Sequence, residues 1–594
     1  MTDALRASAT LLALSWRQAR GRTLVSIVLV LAASVAAPLL ALALKWLTDA
    51  VVAHDVGTAE LAGVAAAALA IGLLTLGHFA HIAYFELSEL NVLTLDERLI
   101  ALSNGSAGIE HHERPEYADR LVVLQQELSQ IQNAIFTVLA LASLGVAIVI
   151  TAVLLALANP FLLLLPLAAV PPLVTGRAAQ LGLDRARDET AEYRRLGLHL
   201  FRLATSAGPA KELRVFRLQG ELRARHARLW EETTGRLWRA EVRATLLRAA
   251  GQLAFAAGYV VAVLIVVSDA IAGHRTVGDV VLAITLSAQV NQQVSAAVGL
   301  LTDLQRIARA FARLDWLEAY VRDHTPAAGD LPVPDRLAGG IRLEGVRFRY
   351  PGTERDVLER VDLDLPAGST VAIVGENGAG KTTLVKLLCR FYEPTEGRIL
   401  VDGQALTRLP LDAWRARIAT GFQDFARFEF IARQAVGVGD LPKVDDEPAV
   451  LAALGRARAD DVVARLDGGL SAQLGKSYAE GTELSGGQWQ KLALGRAMMR
   501  ELPLLLILDE PTSALDAQAE HALFERYAEG ARRVGDATGG ITVLVSHRFS
   551  TVRMADLILV VDGGRIVEAG DHASLLRSRG LYAELYELQA RAYG

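Results

Sequence analysis

The chain has 594 residues, of which 52% are hydrophobic and 21% are charged, and its formal net charge is −5. Soluble proteins carry about 25% charged residues, so this composition favours a chain that lies partly in a membrane. The negative balance gives no support for a nucleic-acid partner. The single cysteine, Cys389, excludes an internal disulfide framework and a cysteine-rich metal site.

Six apolar segments in the first half are long enough to cross a bilayer, which takes about 20 helical residues. They lie near 23–47, 61–85, 134–157, 160–181, 247–268 and 277–301. Arginine is concentrated before the first segment and in the loop 182–246. Because basic residues favour the cytoplasmic side, we expect a multi-pass protein of the cell membrane, of bacterial type, with both termini in the cytoplasm.

The two long inner stretches, 86–133 and 182–246, predict membrane helices that extend into the cytoplasm. Each pair is expected to be capped by a short transverse helix, near 109–121 and 206–216, with a plain solvated connector as the alternative. The sixth segment is unusually polar, and Gln289 and Gln293 share one face of it. These amides favour the lining of a cavity, with hydrogen bonding between helices as the alternative.

The pattern changes after about residue 322. Residues 323–340 contain three prolines and three glycines, which indicates a linker. Beyond them, short apolar runs alternate with glycine-rich turns, as in an α/β domain. We therefore predict a six-helix transmembrane domain at 1–322, a linker at 323–340, and an α/β domain at 341–594.

The second half contains a sequence with the features of a phosphate-binding loop, which predicts that the α/β domain at 341–594 is a P-loop ATPase. Residues 371–384, VAIVGENGAGKTTL, contain the strand, the G-x-x-x-x-G-K-T loop and the start of a helix that such a loop requires. Its backbone N–H groups surround phosphate, the lysine reaches the terminal phosphates of ATP, and the threonine hydroxyl binds Mg²⁺. The residues predicted to bind ATP here are Gly375, Glu376, Asn377, Gly378, Ala379, Gly380, Lys381, Thr382 and Thr383.

A second apolar strand, 504–508, ends in two acidic residues. Asp509 is predicted to hold Mg²⁺, together with Thr382, and Glu510 to act as the general base toward water. Between the two strands, the sequence LSGGQ opens a helix, and small residues at a helix start expose N–H groups to phosphate. The residues predicted to contact nucleotide there are Ser485, Gly486, Gly487 and Gln488.

With these motifs in order, the chain resembles the ABC transporters, whose signature is LSGGQ. The resemblance implies that Tyr350 in RFRYPG stacks on adenine, and that Gln423 in GFQDF contacts Mg²⁺ and the attacking water. It also implies that His547 in LVSHR contacts the γ-phosphate and that Asp516 ends a loop that signals between paired sites. In this family two motors pair head to tail, so each signature completes the partner's site. Since all the motifs are intact, the resemblance implies a homodimer.

The order of domains resembles the exporter (type IV) half-transporters. The stretches PAKELRVFRL, FQDFARFEF and EGTELSGGQWQK resemble bacterial exporters of ribosomally made peptides, such as lantibiotic transporters. No cysteine precedes the first segment, so the leader protease of some peptide exporters is not expected. The resemblance implies ATP-driven export of a peptide or amphipathic compound by alternating access. A lipid flippase, a multidrug exporter, an importer on the same scaffold, and an ATP-gated channel or regulatory subunit stay open as alternatives.

Overall fold

The computed structural model describes residues 2–130, 134–325, 329–510, 517–546 and 548–593. The chain forms two compact units. The first unit contains Met1–Ser103 and Asp119–Ala319, and the second contains Asn104–Ala118 and Tyr320–Gly594. Residues 104–118 thus belong to the same unit as the ATPase sequence motifs, although their chain neighbours on both sides belong to the other. The domain boundaries 1–322, 323–340 and 341–594 stay predictions.

The described part of the first unit is helical. Its helices, together with those of the segment 104–118, are α1 Thr2–Gln18, α2 Arg20–Val52, α3 Val56–Ser103, α4 Glu110–Glu113, α5 Pro115–Gln130, α6 Ala134–Ala158, α7 Leu165–Ala168, α8 Val170–Glu189, α9 Ala191–Thr205, α10 Ala210–Val215, α11 Gln219–Ile271 and α12 Val277–Asp323, with a 3-10 turn at Pro160–Leu164.

Five helical stretches among the described residues are long and apolar enough to cross a membrane. They are Arg20–Val52, Val56–Ser103, Ala134–Ala158, Pro160–Glu189 and Gln219–Ile271, and they contain the first five predicted segments. The sixth predicted segment is also helical, as the first half of α12. It is not among the five, because the amides between Gln289 and Gln293 lower its hydropathy.

Both predicted transverse segments contain short helices. In the first, α4 ends before Arg114, which caps the helix and has an extended backbone (ψ 122°). The next residue, Pro115, disfavours a helical conformation for the residue before it, so the chain breaks there and α5 begins. The second segment contains α10, which follows Pro209.

The second unit contains two sheets. The strands are β1 Gly340–Phe348, β2 Leu358–Pro366, β3 Thr370–Gly375, β4 Glu396–Val401, β5 Gln404–Ala405, β6 Ile418–Gly421, β7 Leu505–Asp509, β8 Ile541–Val545, β9 Leu557–Asp562 and β10 Arg565–Gly570. The first sheet is antiparallel, with the order β2-β1-β4-β5. The second has the order β10-β9-β3-β8-β7-β6, and its strands are parallel except for β10.

The helices of this unit surround the parallel sheet. They are α13 Lys381–Leu388, α14 Leu411–Ala416, α15 Ala432–Gly437, α16 Glu447–Ala457, α17 Asp460–Val463, α18 Gly486–Ala497, α19 Ala517–Thr538, α20 Phe549–Val552, α21 His572–Ser578 and α22 Leu581–Tyr593. Strands β7 and β8 are buried along their whole length, as expected when helices cover both faces of a parallel sheet. Cys389 is also buried, and burial raises the pKa of its thiol to about 12.

The parallel sheet places the predicted catalytic motifs at one edge. The phosphate loop follows β3, the two acidic residues end β7, and Gln423 comes two residues after β6. Because the carboxyl ends of parallel strands meet at the same edge, ligands of such sheets bind there. The topology therefore brings together motifs that are more than 80 residues apart in sequence, such as Gln423 and Glu510.

Candidate functional site

The phosphate loop has the backbone conformation that its glycines permit. Gly375, Gly378 and Gly380 have φ angles of 151°, 82° and 109°, which side-chain-bearing residues rarely adopt. A Cβ atom on Gly375 would lie 2.1 Å from the carbonyl oxygen of Val561, and one on Gly380 would lie 2.8 Å from a methyl group of Leu358. Glycine is therefore required at these two positions by both conformation and space.

The side chain of the P-loop lysine forms hydrogen bonds with the backbone of its own loop. The Nζ of Lys381 donates to the carbonyl oxygens of Gly375 and Glu376, at 2.7 and 2.8 Å. Burial lowers the pKa of Lys381, and the carboxylates of Glu510 and Asp509 oppose that shift. The ammonium group is thus held between the loop and the acidic end of β7, within reach of a phosphate placed in the loop.

The two acidic residues differ in their surroundings. Asp509 is only 4% exposed. Burial, and then the neighbouring Glu510 carboxylate, raise the pKa of Asp509 to about 6, whereas Lys381 opposes the shift. A buried carboxylate next to a second one is unfavourable unless a cation compensates the negative charge. The surroundings of Asp509 therefore suit a residue that binds a divalent metal ion.

Glu510 has an unusual backbone. Its φ angle of 47° lies in the left-handed region, where a residue other than glycine stores strain, often at a functional site. Its N–H donates to the carbonyl oxygen of Val545 at 2.9 Å, which holds the residue against β8. The Nε2 of Gln423 donates to the Glu510 carboxylate at 2.9 Å. The two residues predicted to contact the attacking water are therefore in direct contact.

Tyr350 is tied to the helix that follows the loop. Its hydroxyl forms a hydrogen bond with Thr383 Oγ1 at 3.1 Å, and its ring packs edge-on against Phe348 and Tyr392, with centroids 5.0 and 5.3 Å away. These contacts orient the ring that is predicted to stack on adenine.

One cavity of about 1020 Å³ joins these groups. Its lining includes most of the predicted residues, namely Tyr350, Gly375, Glu376, Asn377, Gly378, Gly380, Lys381, Thr382, Thr383, Gln423, Asp509 and Glu510. Val357 and Val545 also line it, and sequence reasoning missed both because each is an ordinary apolar residue at the end of a strand or loop. Ala379 is buried beneath the loop instead, and its carbonyl oxygen accepts from the N–H of Gly564 at 3.2 Å.

The LSGGQ residues are absent from the described lining of this cavity. Ser485 is the N-cap of α18, and it forms a capping box with Gln488. Ser485 Oγ accepts from the Gln488 N–H at 3.3 Å, and Gln488 Oε1 accepts from the Ser485 N–H at 2.8 Å. The S-x-x-Q spacing in the sequence is itself a signal for the capping box. Asp516 and His547 lie outside the described residues.

Comparisons with known proteins agree with this geometry. The profile of the family described as "ABC transporter" matches residues 358–513, a range that begins at β2. The "ATP-dependent lipid A-core flippase" of Xylella fastidiosa (strain 9a5c) is 34% identical over 411 residues, covering 67% of each chain. The chain belongs to the ABC transporters.

Two further comparisons define the branch of the ABC transporters. The "ATP-dependent lipid A-core flippase" of Chromohalobacter salexigens is 43% identical over 258 residues, which is 43% of this chain and only 42% of that relative's length. A solved structure of "a bacterial Atm1-family ABC exporter with ATP bound" aligns with a TM-score of 0.80 at 26% identity, covering 96% of this chain and 98% of that one. This ABC transporter is therefore an exporter-type (type IV) half-transporter, and its ATPase domain binds ATP and couples hydrolysis to transport.

Proposed function

We propose that this ABC transporter uses ATP to move an anionic amphipathic lipid out of the inner leaflet of the bacterial cell membrane, as a homodimer. The observation that carries the choice of cargo is a cleft lined with arginines in the first unit. The similar proteins called lipid A-core flippases support the same choice. The peptide cargo expected from local sequence similarity gains no support from them, so a lipid ranks first.

The arginine cleft lies between α8 and α11 and has a volume of about 530 Å³. It begins at Ala178, close to the end of the predicted fourth membrane segment at 181, and it reaches Leu247, where the fifth begins. The cleft is thus placed at the predicted inner boundary of the membrane, at headgroup depth. The charged residues that line it are Arg185, Glu189, Arg236, Arg239 and Arg243.

Positive charge dominates the arginine cleft, with four guanidinium groups and one carboxylate. Arg236 lies over the ring of Tyr193 at 5.1 Å, and Arg239 donates to the carbonyl oxygen of Gly235 at 3.2 Å. The ion pairs nearby, Arg187–Asp184 and Arg248–Glu241, use other arginines. A basic pocket between membrane helices on the cytoplasmic side is a recognised site for anionic lipid headgroups.

A second cavity in the same unit suits the apolar part of such a cargo. It has a volume of about 580 Å³ and is lined mainly by small and apolar residues of α2, α3, α6 and α12. Its polar lining residues are Ser34, Ser143, Gln289, Gln292, Gln293 and Asp303. Gln289 donates to the carbonyl oxygen of Ala37 at 2.8 Å and Gln293 to Thr151 Oγ1 at 2.9 Å, so both proposed roles, lining and helix contact, are compatible here.

The motor residues would act on ATP as follows. The P-loop N–H groups and Lys381 hold the phosphates, and Tyr350 stacks on adenine. Mg²⁺, when bound, neutralises the negative charge that develops on the transferred phosphoryl group. Asp509, Thr382 and Gln423 line the cavity together and would hold that ion. Glu510 accepts a proton from the attacking water, which Gln423 helps to orient.

A second copy of the chain would complete each site. In the described lining of the nucleotide cavity the LSGGQ residues are absent, whereas the chemistry of their helix N-terminus suits a phosphate. Ser485, Gly486, Gly487 and Gln488 would therefore face ATP bound to the partner, with Asp516 and His547 assigned to the same paired sites by resemblance. Val215, the last residue of α10, is 76% exposed, and the next residue, Phe216, is 64% exposed, which suits docking on the partner's motor.

The cargo is tested with purified full-length protein in nanodiscs of phosphatidylcholine, with and without an anionic glycolipid. We expect the glycolipid to raise ATPase activity several-fold, and the variant Arg185→Gln/Arg243→Gln to lose that rise while keeping its basal rate. Arg225→Gln, an exposed arginine of α11 outside the cleft, serves as the control. Stimulation by peptides alone, with no response to the glycolipid, would reverse the ranking of the two cargoes.

A further inference from the structure

Both carboxylate oxygens of Glu113, in α4, accept hydrogen bonds from residues of the second unit. Its Oε1 accepts from the Nζ of Lys386 at 2.6 Å, and its Oε2 accepts from the hydroxyl of Tyr392. All three residues belong to the second compact unit, although Glu113 lies 273 residues before Lys386 in the chain. The segment 104–118 is further held by Arg415, whose guanidinium donates to the carbonyl oxygen of Ala107 at 2.5 Å.

Lys386 connects Glu113 to the nucleotide site. It lies on α13, the helix that starts at the P-loop, and its Nζ is 5.2 Å from the centroid of the Tyr350 ring. Its side chain is only 20% exposed. Burial alone lowers the pKa of Lys386, but the hydrogen bond to Glu113 and the proximity of Tyr350 raise it above its usual value. Glu113 therefore favours the charged form of Lys386 and holds its ammonium group over the ring.

Two residues of α13 thus fix Tyr350. Thr383 binds the hydroxyl of the tyrosine, and Lys386 lies over its ring. The ammonium occupies one face of the ring through a cation–π contact, so a stacked base has the opposite face. Removing the cation, or the carboxylate that holds it, would free the ring to turn about its side-chain bonds.

We propose that Glu113 and Lys386 are positioning residues for the base of ATP, because together they hold the Tyr350 ring in the orientation that stacks on adenine. This rests on the adenine-stacking role proposed above for Tyr350. The carboxylate comes from the segment that connects α3 and α5, so base affinity depends on the contact between Glu113 and Lys386. By linkage, ATP binding stabilises that contact by the same factor.

The proposal is tested by nucleotide binding to the full-length protein in the Glu510→Gln background, which prevents turnover during titration. The probes are ATP and inorganic tripolyphosphate, which has the phosphates without the base. We expect Glu113→Gln and Lys386→Met each to weaken ATP binding about three- to tenfold, the size of a partly buried cation–π contact. Tripolyphosphate affinity stays unchanged, because the P-loop is intact.

Three further variants make the result specific. The double variant Glu113→Gln/Lys386→Met matches Lys386→Met alone, because Glu113 acts through the lysine. Lys386→Arg keeps the cation and restores ATP affinity to within about twofold of the parent protein. Arg398→Met removes a cation from another ion pair of the same unit, Arg398–Glu344 at 2.7 Å, and leaves both affinities unchanged.

Equal loss of ATP and tripolyphosphate affinity, additive effects in the double variant, or unchanged ATP affinity in both single variants would each overturn the proposal. Tyr350→Ala separates this from the underlying assignment. If Tyr350→Ala does not weaken ATP binding, the adenine-stacking role itself is wrong. If it does weaken binding while Glu113→Gln and Lys386→Met do not, only the positioning role fails.

Discussion

The first unit of this chain, the membrane unit, and the second unit, the motor unit, encode their functions in different ways. In the motor unit, the P-loop, the acidic residues after the second apolar strand, Tyr350 and Gln423 all contribute groups to a single cavity, and a change of one residue type would alter the chemistry. In the membrane unit, composition predicts helices and their depth, but no motif marks where a cargo binds. The difference follows from the ligands. Triphosphate and water require donors and charges at fixed places, whereas a lipid requires apolar area and a few polar groups that many sequences supply.

The largest expected effect tests the motor side of this comparison. Replacing Glu510 by Gln removes the proposed general base, so we expect the ATP turnover rate to fall about 100- to 1000-fold while ATP binding is retained. The phosphate release assay and an ATP titration measure the two quantities. Glu529, an exposed residue of α19, gives the matched control. The variant Glu529→Gln should change neither the ATP turnover rate nor ATP binding. Wild-type turnover in Glu510→Gln would refute the general-base role.

The next prediction asks whether single residues can matter as much in the membrane unit. Lys45 of α2 forms an ion pair with Asp279 of α12, whose side chain is only 6% exposed. Breaking a buried pair leaves an uncompensated charge, so Asp279→Asn should destabilise the protein by at most about 3 kcal/mol, since Asp49 remains 3.9 Å from the lysine.

The measurement for this pair is the thermal unfolding midpoint in detergent. Glu221→Gln, which breaks the exposed i,i+4 pair with Arg225 on α11, is the control and should not shift the midpoint. Equal midpoints for Asp279→Asn and the parent protein would mean that the pair contributes nothing to stability.

The smallest effect is expected in the glutamine-lined cavity. Gln293→Leu loses the hydrogen bond to Thr151 Oγ1, and such bonds in membrane proteins contribute only about 0.6 kcal/mol on average. We expect basal ATPase activity to stay within about twofold and lipid stimulation to fall by about the same factor. A complete loss of stimulation would show that this cavity depends on single residues as strictly as the motor does.

Much of the motor site was predictable from sequence because its parts are contiguous. The strand, glycines and lysine of the P-loop stand side by side, and strand ends in parallel sheets meet at one edge. The strained backbone of Glu510 was not predictable, because it depends on the hydrogen bond to Val545. The contact between Glu113 and Lys386 was not predictable either, since no local pattern links residues so far apart.

In the membrane unit, the first five apolar segments were confirmed as helices of sufficient length and hydropathy. The sixth was placed correctly as a helix, but its amides reduce its hydropathy, and hydropathy cannot distinguish a cavity wall from a solvated helix. The arginines of the loop 182–246 predict orientation, but the sequence does not predict that some of them line one cleft. Their meeting between α8 and α11 depends on how two helices pack, which single-sequence periodicity does not determine.

The segment 104–118 has a consequence for how the protein is made. Its partners on the motor, such as Lys386, are translated 273 residues later than Glu113. At about 5 to 20 residues per second, the segment would wait roughly 15 to 55 seconds after leaving the ribosome. The first membrane helices are therefore synthesised before the surface that completes the loop between α3 and α5. A chain that ends early in the motor would leave this loop without its partners, and cellular proteases could recognise it as incomplete.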